Sequence, residues 1–244
     1  MPFIRAQRQQ LPNDQRWIAY EATAARQLGY SSYPQLYDYG RLVRVYELEA
    51  PAGWRSIEEL NAALIETLRA RHRFATHPLD QSLRNGSQTA RSLVTERDTV
   101  IQALLSAFAG PLESYRATLG NAPDHPLSTR NSGAAVLRGC WSVELRRNGY
   151  HVNHVHPQGW ISSAYYVSVP SEVADTSARS GWIKFGEPGM PIPSLGAEHF
   201  VQPRAGRLVL FPSYMWHGTN TILGNEPRLT VAFDAVPGSG APLT

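Results

Sequence analysis

Three of the eight histidines fall within six residues, in Tyr150-His151-Val152-Asn153-His154-Val155-His156-Pro157. In an extended chain, residues i and i+2 point to the same face. His154 and His156 should therefore project together, with His151 on the other side. Two imidazoles a few ångströms apart can share a metal ion. The other reading is a pair exposed to water or hydrogen-bonded to backbone. A lone histidine, His217, comes later in LVLFPSYMWHGTN, after an apolar strand and a Pro-Ser turn. Eleven residues beyond it stands Arg228-Leu229-Thr230-Val231-Ala232-Phe233. Arg228 and Thr230 share one face; Leu229, Val231 and Phe233 share the other. The apolar face suits packing on a helix or sheet, which leaves the Arg/Thr face to a cavity or to solvent. A buried arginine is costly unless it meets an anion. A guanidinium with a hydroxyl two residues on suits a carboxylate, which it grips with two parallel hydrogen bonds. An edge-strand arginine in water is the alternative.

Such residues need elements to hold them. The first half of the chain reads helical. Residues 14–28 carry Trp17, Ile18, Ala22, Ala25 and Leu28 at helical spacing, with Gly29 as the stop. The stretch 31–40, SSYPQLYDYG, interrupts it. Residues 56–73 open with Ser56 and Glu59, a capping box, and continue with Ile57, Leu60, Leu64 and Leu68 on one face. A third helix is expected from about Asp98 to Leu119, with Val100, Leu104 and Phe108 inward and a break at Gly110-Pro111. The turn-rich loop 121–133 separates the halves. From there the period changes to two. Trp141, Val143 and Leu145 alternate with Ser142, Glu144 and Arg146. WISSAYYVSVP, GWIKFG, RLVLFPS and RLTVAFDAV follow, bounded by Gly, Pro and Asn, with no helical spacing between them. Short strands at close intervals predict an antiparallel sandwich or barrel with the N-terminal helices packed on one sheet. The expected divisions are a helical extension over 1–40, a helical support region over 41–133 and a β core over 134–244.

Composition limits the remaining classes. The 244 residues are 42% hydrophobic and 18% charged, which excludes a disordered chain, a coiled coil and a collagen-like repeat. No apolar run approaches the ~20 residues of a membrane span. The opening MPFIRAQRQQLPNDQ lacks the apolar core of a signal peptide, so the expected location is cytoplasmic. The one cysteine, Cys140, excludes an internal disulfide and a multi-cysteine zinc site. Net charge is +3, from 22 Arg and Lys184 against 20 acidic residues. The arginines are scattered rather than gathered in a stripe, which argues against a nucleic-acid partner.

The order of these motifs, HxH, strands, a single His and then Arg-x-Thr, resembles the Fe(II)/2-oxoglutarate-dependent oxygenases. The likeness covers about residues 138–236. HVNHVHPQGWISSAYYVSVP, GWIKFGEP, GRLVLFPSYMWHGT and EPRLTVAFD look like the prolyl-hydroxylase-like branch. The whole chain resembles bacterial members in which the oxygenase domain often follows tetratricopeptide repeats; WIAYEATAARQLGY would be the last helix before the catalytic domain. The segment 77–89 also resembles that group, and reads otherwise as a polar loop turning at Asn85-Gly86.

The resemblance implies an α+β chain built on a double-stranded β-helix (jelly roll, cupin-like) with N-terminal helices packed on one sheet. It implies that His154 and His217 ligate Fe(II). Arg228, with Thr230 and Tyr166, would hold the distal carboxylate of 2-oxoglutarate, and O₂ would be the oxidant. The departure is His156, which stands where the family has an Asp or Glu. Three neutral ligands leave the metal site at +2 rather than +1. His156 either completes a three-histidine site or leaves its place to water. Imidazole suits Fe, Cu, Ni and Zn alike, so the residues do not choose the metal.

The implied activity is hydroxylation of a peptide or protein side chain, or of an amino-acid-like small molecule. One alternative is a three-histidine dioxygenase that uses no 2-oxoglutarate and binds a substrate carboxylate on Arg228. Another is a non-catalytic metal-binding or protein-interaction jelly roll. Tyr30, Tyr33, Tyr37 and Tyr39 would suit a partner surface in that case, or equally a core. The sequence assigns no oligomeric state.

Overall fold

The computed structural model describes residues 1–76, 79 and 81–238. Four helices open the chain: α1 (Pro2–Gln10), α2 (Gln15–Leu28), α3 (Ser32–Leu36) and α4 (Tyr39–Leu42). Strand β1 (Arg44–Glu47), helix α5 (Ile57–Arg69) and strand β2 (Leu83–Gln88) follow, and then helices α6 (Thr99–Ala107) and α7 (Ala109–Thr118). The remainder is β3 (Ala135–His151), β4 (Ile161–Ser168), β5 (Ile183–Phe185), β6 (His199–Val201), β7 (Arg207–Pro212), β8 (His217–Thr219) and β9 (Arg228–Pro237).

The local signals act as expected. Asp14 caps α2 by accepting from the Arg16 N–H, and Gly29 ends it with φ 69°. Ser56 accepts from the Glu59 N–H at the start of α5. The return half of the capping box differs: the Glu59 carboxylate accepts from the Arg55 N–H, not from Ser56. The expected third helix is two, parted at Phe108 ahead of Gly110. Pro111 falls in the first turn of α7, where its missing N–H costs nothing.

All strand pairs are antiparallel, in a six-stranded sheet ordered β1-β7-β4-β9-β3-β2 and a three-stranded sheet ordered β6-β5-β8. The architecture is α+β, a jelly roll with helices on the outer face of its larger sheet. Tyr165 of β4 points outward and donates to Asn61 of α5 at 2.7 Å. Phe108 packs on Tyr165 and on Phe233 of β9, at 5.6 and 4.8 Å between ring centres. Leu229, Val231 and Phe233 are thus the helix-facing row. Their neighbours Arg228 and Thr230 face the interior between the sheets, where they line a cavity. Among the described residues, no helix is long and apolar enough to cross a membrane.

Two strands lie in the stretch expected to be helical support. β1 pairs with β7, and β2 pairs with β3 as the outermost strand. β2 is LRNGSQ, which has no apolar alternation and contains the dipeptide read as a turn. Instead the register slips between Arg84 and Gly86. Gly86 lies so close to β3 that a Cβ there would come 2.3 Å from the Glu144 carbonyl oxygen. Residues 77, 78 and 80 of the 77–89 segment, and 239–244 at the end of the β core, lie outside the described residues. The tyrosine cluster is mostly core: Tyr37 is buried, Tyr33 and Tyr39 are half-buried, and Tyr30 is 45% exposed.

Candidate active site

His154 lies just past β3 and forms a two-way backbone bridge with His217, the first residue of β8, at 2.9 and 3.1 Å. The His156 N–H donates to the Ser213 carbonyl at 2.9 Å, which anchors the second histidine to the turn that carries the third. The three rings are 4.3 to 5.1 Å apart. One ring nitrogen from each lies within 4.8 Å of the other two.

The Nδ1 atoms are all engaged. His154 Nδ1 is 2.8 Å from the Val152 carbonyl, and His217 Nδ1 is 2.9 Å from the Met215 carbonyl. His156 Nδ1 is 2.6 Å from Asp234 Oδ2. Carbonyl and carboxylate oxygens only accept, so the proton sits on Nδ1 in each ring. That tautomer leaves Nε2 with a lone pair. Among the described residues no hydrogen bond engages Nε2 of any of the three.

Asp234 is the residue the sequence reading missed. Its other oxygen accepts from Ser162 at 2.7 Å, and Ser162 is 2.8 Å from the Ser213 hydroxyl. A carboxylate behind a ligating imidazole fixes the ring and raises its basicity. The site therefore keeps a negative charge, moved one residue outward from where a carboxylate ligand would put it. The signal was available. Continuing the period-two row from Arg228 and Thr230 passes Ala232 and reaches Asp234.

The electrostatics follow from burial. Burial lowers the His154 pKa to about 3 and holds His217 well below the ordinary imidazole value, with the neighbouring imidazoles adding to it. Both imidazoles are therefore neutral at pH 7. Burial also opposes a proton on His156, but the charge and hydrogen bond of Asp234 outweigh it and raise that pKa. Asp234 is held low in turn by His156 and Ser162, against the effect of its own burial.

His151 departs from expectation. It was placed on the opposite face, yet it lines the same cavity, its ring 6.0 Å from that of His154. The strand ends at His151, and a bend at Asn153 breaks the alternation. Its Nδ1 lies 2.9 Å from the Ser82 hydroxyl.

Deeper in the cavity Arg228 is 3% exposed and Tyr166 is 1% exposed. The guanidinium lies over the tyrosine ring at 5.6 Å from its centre. Arg228 donates to the Gly181 carbonyl and, at 3.5 Å, to Thr219. Gly181 has φ 68°, and a Cβ there would come 2.6 Å from Ile222, so the carbonyl that holds Arg228 needs a glycine. Among the described residues, Arg228 Nε and the Tyr166 hydroxyl have no hydrogen-bond partner. A buried donor left unpaired costs about 1–3 kcal/mol. Two of them in one pocket fit a ligand carboxylate. Thr230, expected to assist, donates its hydroxyl to the Val143 carbonyl at 3.3 Å, so it offers an oxygen rather than a proton. The cavity measures about 1290 Å³ and holds the histidines, Arg228 and Tyr166 together.

Residues 139–234 match the family described as "Putative 2OG-Fe(II) oxygenase". No curated protein matches the chain. The fold is that of a Pseudomonas putida prolyl-4-hydroxylase, at 14% identity and a TM-score of 0.51 over 83% of this chain and 96% of that one. A collagen prolyl hydroxylase of Paramecium bursaria Chlorella virus-1, solved with 2-oxoglutarate, gives 11% identity and a TM-score of 0.52 over 82% of this chain and 98% of that one. A prolyl hydroxylase of Trichoplax adhaerens, solved with a hypoxia inducible factor peptide, gives 12% and 0.50 over 93% and 92%. At these identities the likeness is one of fold.

Proposed function

We propose that this chain, whose residues 139–234 match the family described as "Putative 2OG-Fe(II) oxygenase", is an Fe(II)/2-oxoglutarate-dependent hydroxylase whose metal is held by His154, His156 and His217. The observation that carries this reading is the pairing of two features in one cavity. Three imidazoles present unprotonated nitrogens to one point, and two buried donors, Arg228 Nε and the Tyr166 hydroxyl, lack an acceptor among the described residues. A metal ion satisfies the first and the distal carboxylate of 2-oxoglutarate the second. Asp234 favours His156 as a ligand over water in its place, because it turns that ring and holds its proton on the far nitrogen.

With Fe(II) bound, 2-oxoglutarate and O₂ supply the oxidising chemistry: 2-oxoglutarate becomes succinate and CO₂, and one C–H bond of the substrate becomes C–OH. The residues of this chain position and exclude. Arg228 grips the distal carboxylate, with Tyr166 donating to the same group and Thr219 holding the guanidinium. Gly181 fixes the other side of that guanidinium. Asp234, Ser162 and Ser213 hold His156 in one tautomer. Burial keeps His154 and His217 neutral. No side chain is required as a general base. The substrate class consistent with this site is a peptide side chain or an amino-acid-like small molecule.

The test is an anaerobic titration with Fe(II) and then 2-oxoglutarate, watching for the visible metal-to-ligand charge-transfer band. The expected result is a band that needs both additions and disappears in Arg228→Ala. Iron binding with no band on adding 2-oxoglutarate would overturn the assignment.

A further inference from the structure

The cavity contains a second cationic end that 2-oxoglutarate does not account for. Strand β9 serves as a ruler. Arg228 opens it and Asp234 stands six residues on, roughly 20 Å away at the rise of an extended strand. At the Asp234 end the chain 127–130 folds against the loop that follows His156. Trp160 donates through its indole to the Leu127 carbonyl at 2.9 Å, and its N–H donates to the Ala235 carbonyl at 2.9 Å. Arg130 donates to the Gly159 carbonyl at 2.6 Å, and the Gly159 N–H donates to the His156 carbonyl at 3.1 Å. Arg130 therefore stands beside the metal-site histidine.

Arg130 is half-buried, and burial lowers its pKa with no anion opposing the effect. Among the described residues its only hydrogen-bond partner is that one carbonyl. Arg138 lines the same end from the irregularity in β3 opposite Asp234, and it has no ion pair among the described residues. The carboxylates of the cavity wall are already committed: Asp14 to Arg16 at 2.6 Å and Asp234 to His156. Trp141, paired with Ala232 two residues before Asp234 on β9, lines the same cavity. Its indole covers Gly139 so closely that a Cβ there would come 2.4 Å from the ring. A flat aromatic wall beside two guanidinium groups that have no anionic partner among the described residues suits a carboxylate joined to a short apolar body.

We propose that this end of the cavity takes the carboxylate of the substrate, so that the C–H bond oxidised belongs to a carboxylate-bearing molecule held by Arg130 and Arg138 against Trp141. The inference rests on the proposed oxygenase reading for which C–H bond is oxidised, but the anion site is tested apart from it. A free amino-acid carboxylate and an acidic peptide side chain share this chemistry.

The test uses protein loaded with Mn(II) and N-oxalylglycine, which occupies the Arg228 end. The probes are N-acetylproline, N-acetylleucine and an acetylated, amidated Gly-Asp-Gly peptide, each compared with its uncharged amide (Asn for Asp in the peptide). Binding is read by calorimetry and by tryptophan fluorescence. At least one carboxylate should bind and its amide should bind about tenfold or more weakly, the loss expected for one charge-assisted contact. Arg130→Gln should cost a similar factor while N-oxalylglycine affinity stays unchanged. Which probe binds separates the free acid from the peptide. Equal binding of acid and amide, no effect of Arg130→Gln, or no binding by any probe would overturn the proposal. If N-oxalylglycine fails to bind at all, the oxygenase reading fails. The same panel is then run on Arg228→Ala protein without metal, where carboxylate binding lost in Arg130→Gln still supports the anion site and its absence overturns it.

Discussion

At the scale of single residues, two predictions test the centre separately from the pocket. Asp234→Asn keeps the shape but removes the charge behind His156. It should weaken metal binding by roughly 10- to 100-fold, the cost usual for losing such a partner. A Co(II) titration followed by its absorption bands reads this directly; unchanged affinity would separate Asp234 from the metal. Tyr166→Phe should act in two opposite directions. Removing a buried hydroxyl that has no partner among the described residues should stabilise the ligand-free protein by up to about 1–3 kcal/mol, while the stabilisation given by 2-oxoglutarate shrinks. Melting curves with and without the co-substrate measure both; a ligand-free Tm that falls would show that the hydroxyl has a partner. At this scale the sequence was legible wherever a strand kept its period. His154, His156, Arg228, Thr230 and Tyr166 all come to the cavity. The period failed at His151, because a bend at Asn153 turns the chain, and it was stopped short of Asp234 although the same row leads there.

At the scale of elements, the N-terminal helices hold the histidine turn. The Tyr37 hydroxyl donates to the Tyr214 carbonyl at 3.1 Å and accepts from the Trp216 N–H at 2.9 Å. The Trp216 indole donates to Thr23 of α2, and Tyr214 donates to the Leu36 carbonyl, both at 2.9 Å. Tyr37→Phe leaves two buried backbone groups unpaired one and three residues before His217. It should cost about 1–3 kcal/mol in urea denaturation and weaken metal binding with it; a stability loss with unchanged metal affinity would show that the turn holds without its tether. A second connection joins α5 to the sheet. His72 lies 2.8 Å from the Ser87 hydroxyl and 3.0 Å from that of Ser142. Burial lowers its pKa. The unfolded chain therefore takes up this proton first as pH falls, so His72 removes stability below about pH 6.5 and none above it. Denaturation midpoints between pH 7.5 and 5.5 should fall, and fall less in His72→Gln. None of these ties was readable from local pattern, because each joins residues far apart in the chain. The same holds for β1 and β2, polar edge strands that exist only because β7 and β3 offer them an edge.

At the scale of the whole molecule, the ligands and the fold should stabilise each other. A ligand at a hundred times its dissociation constant adds about 2.7 kcal/mol to a state that alone can bind it. The chain has a means of measuring this built into its core. Cys140 is the single cysteine, wholly buried on β3, and burial, with the nearby Asp234, pushes its thiol pKa up. A thiol in that condition does not react while the sheet is closed. Its reaction with a coloured disulfide reagent therefore counts openings of the β core, one label per molecule. The labelling rate should drop when metal and 2-oxoglutarate are added together. If the rate were insensitive to both, the opening that exposes Cys140 would leave their binding sites intact. The lone cysteine, which offers no bridge or metal site, would then serve as an internal clock that separates breathing of the sheet from release of the ligands.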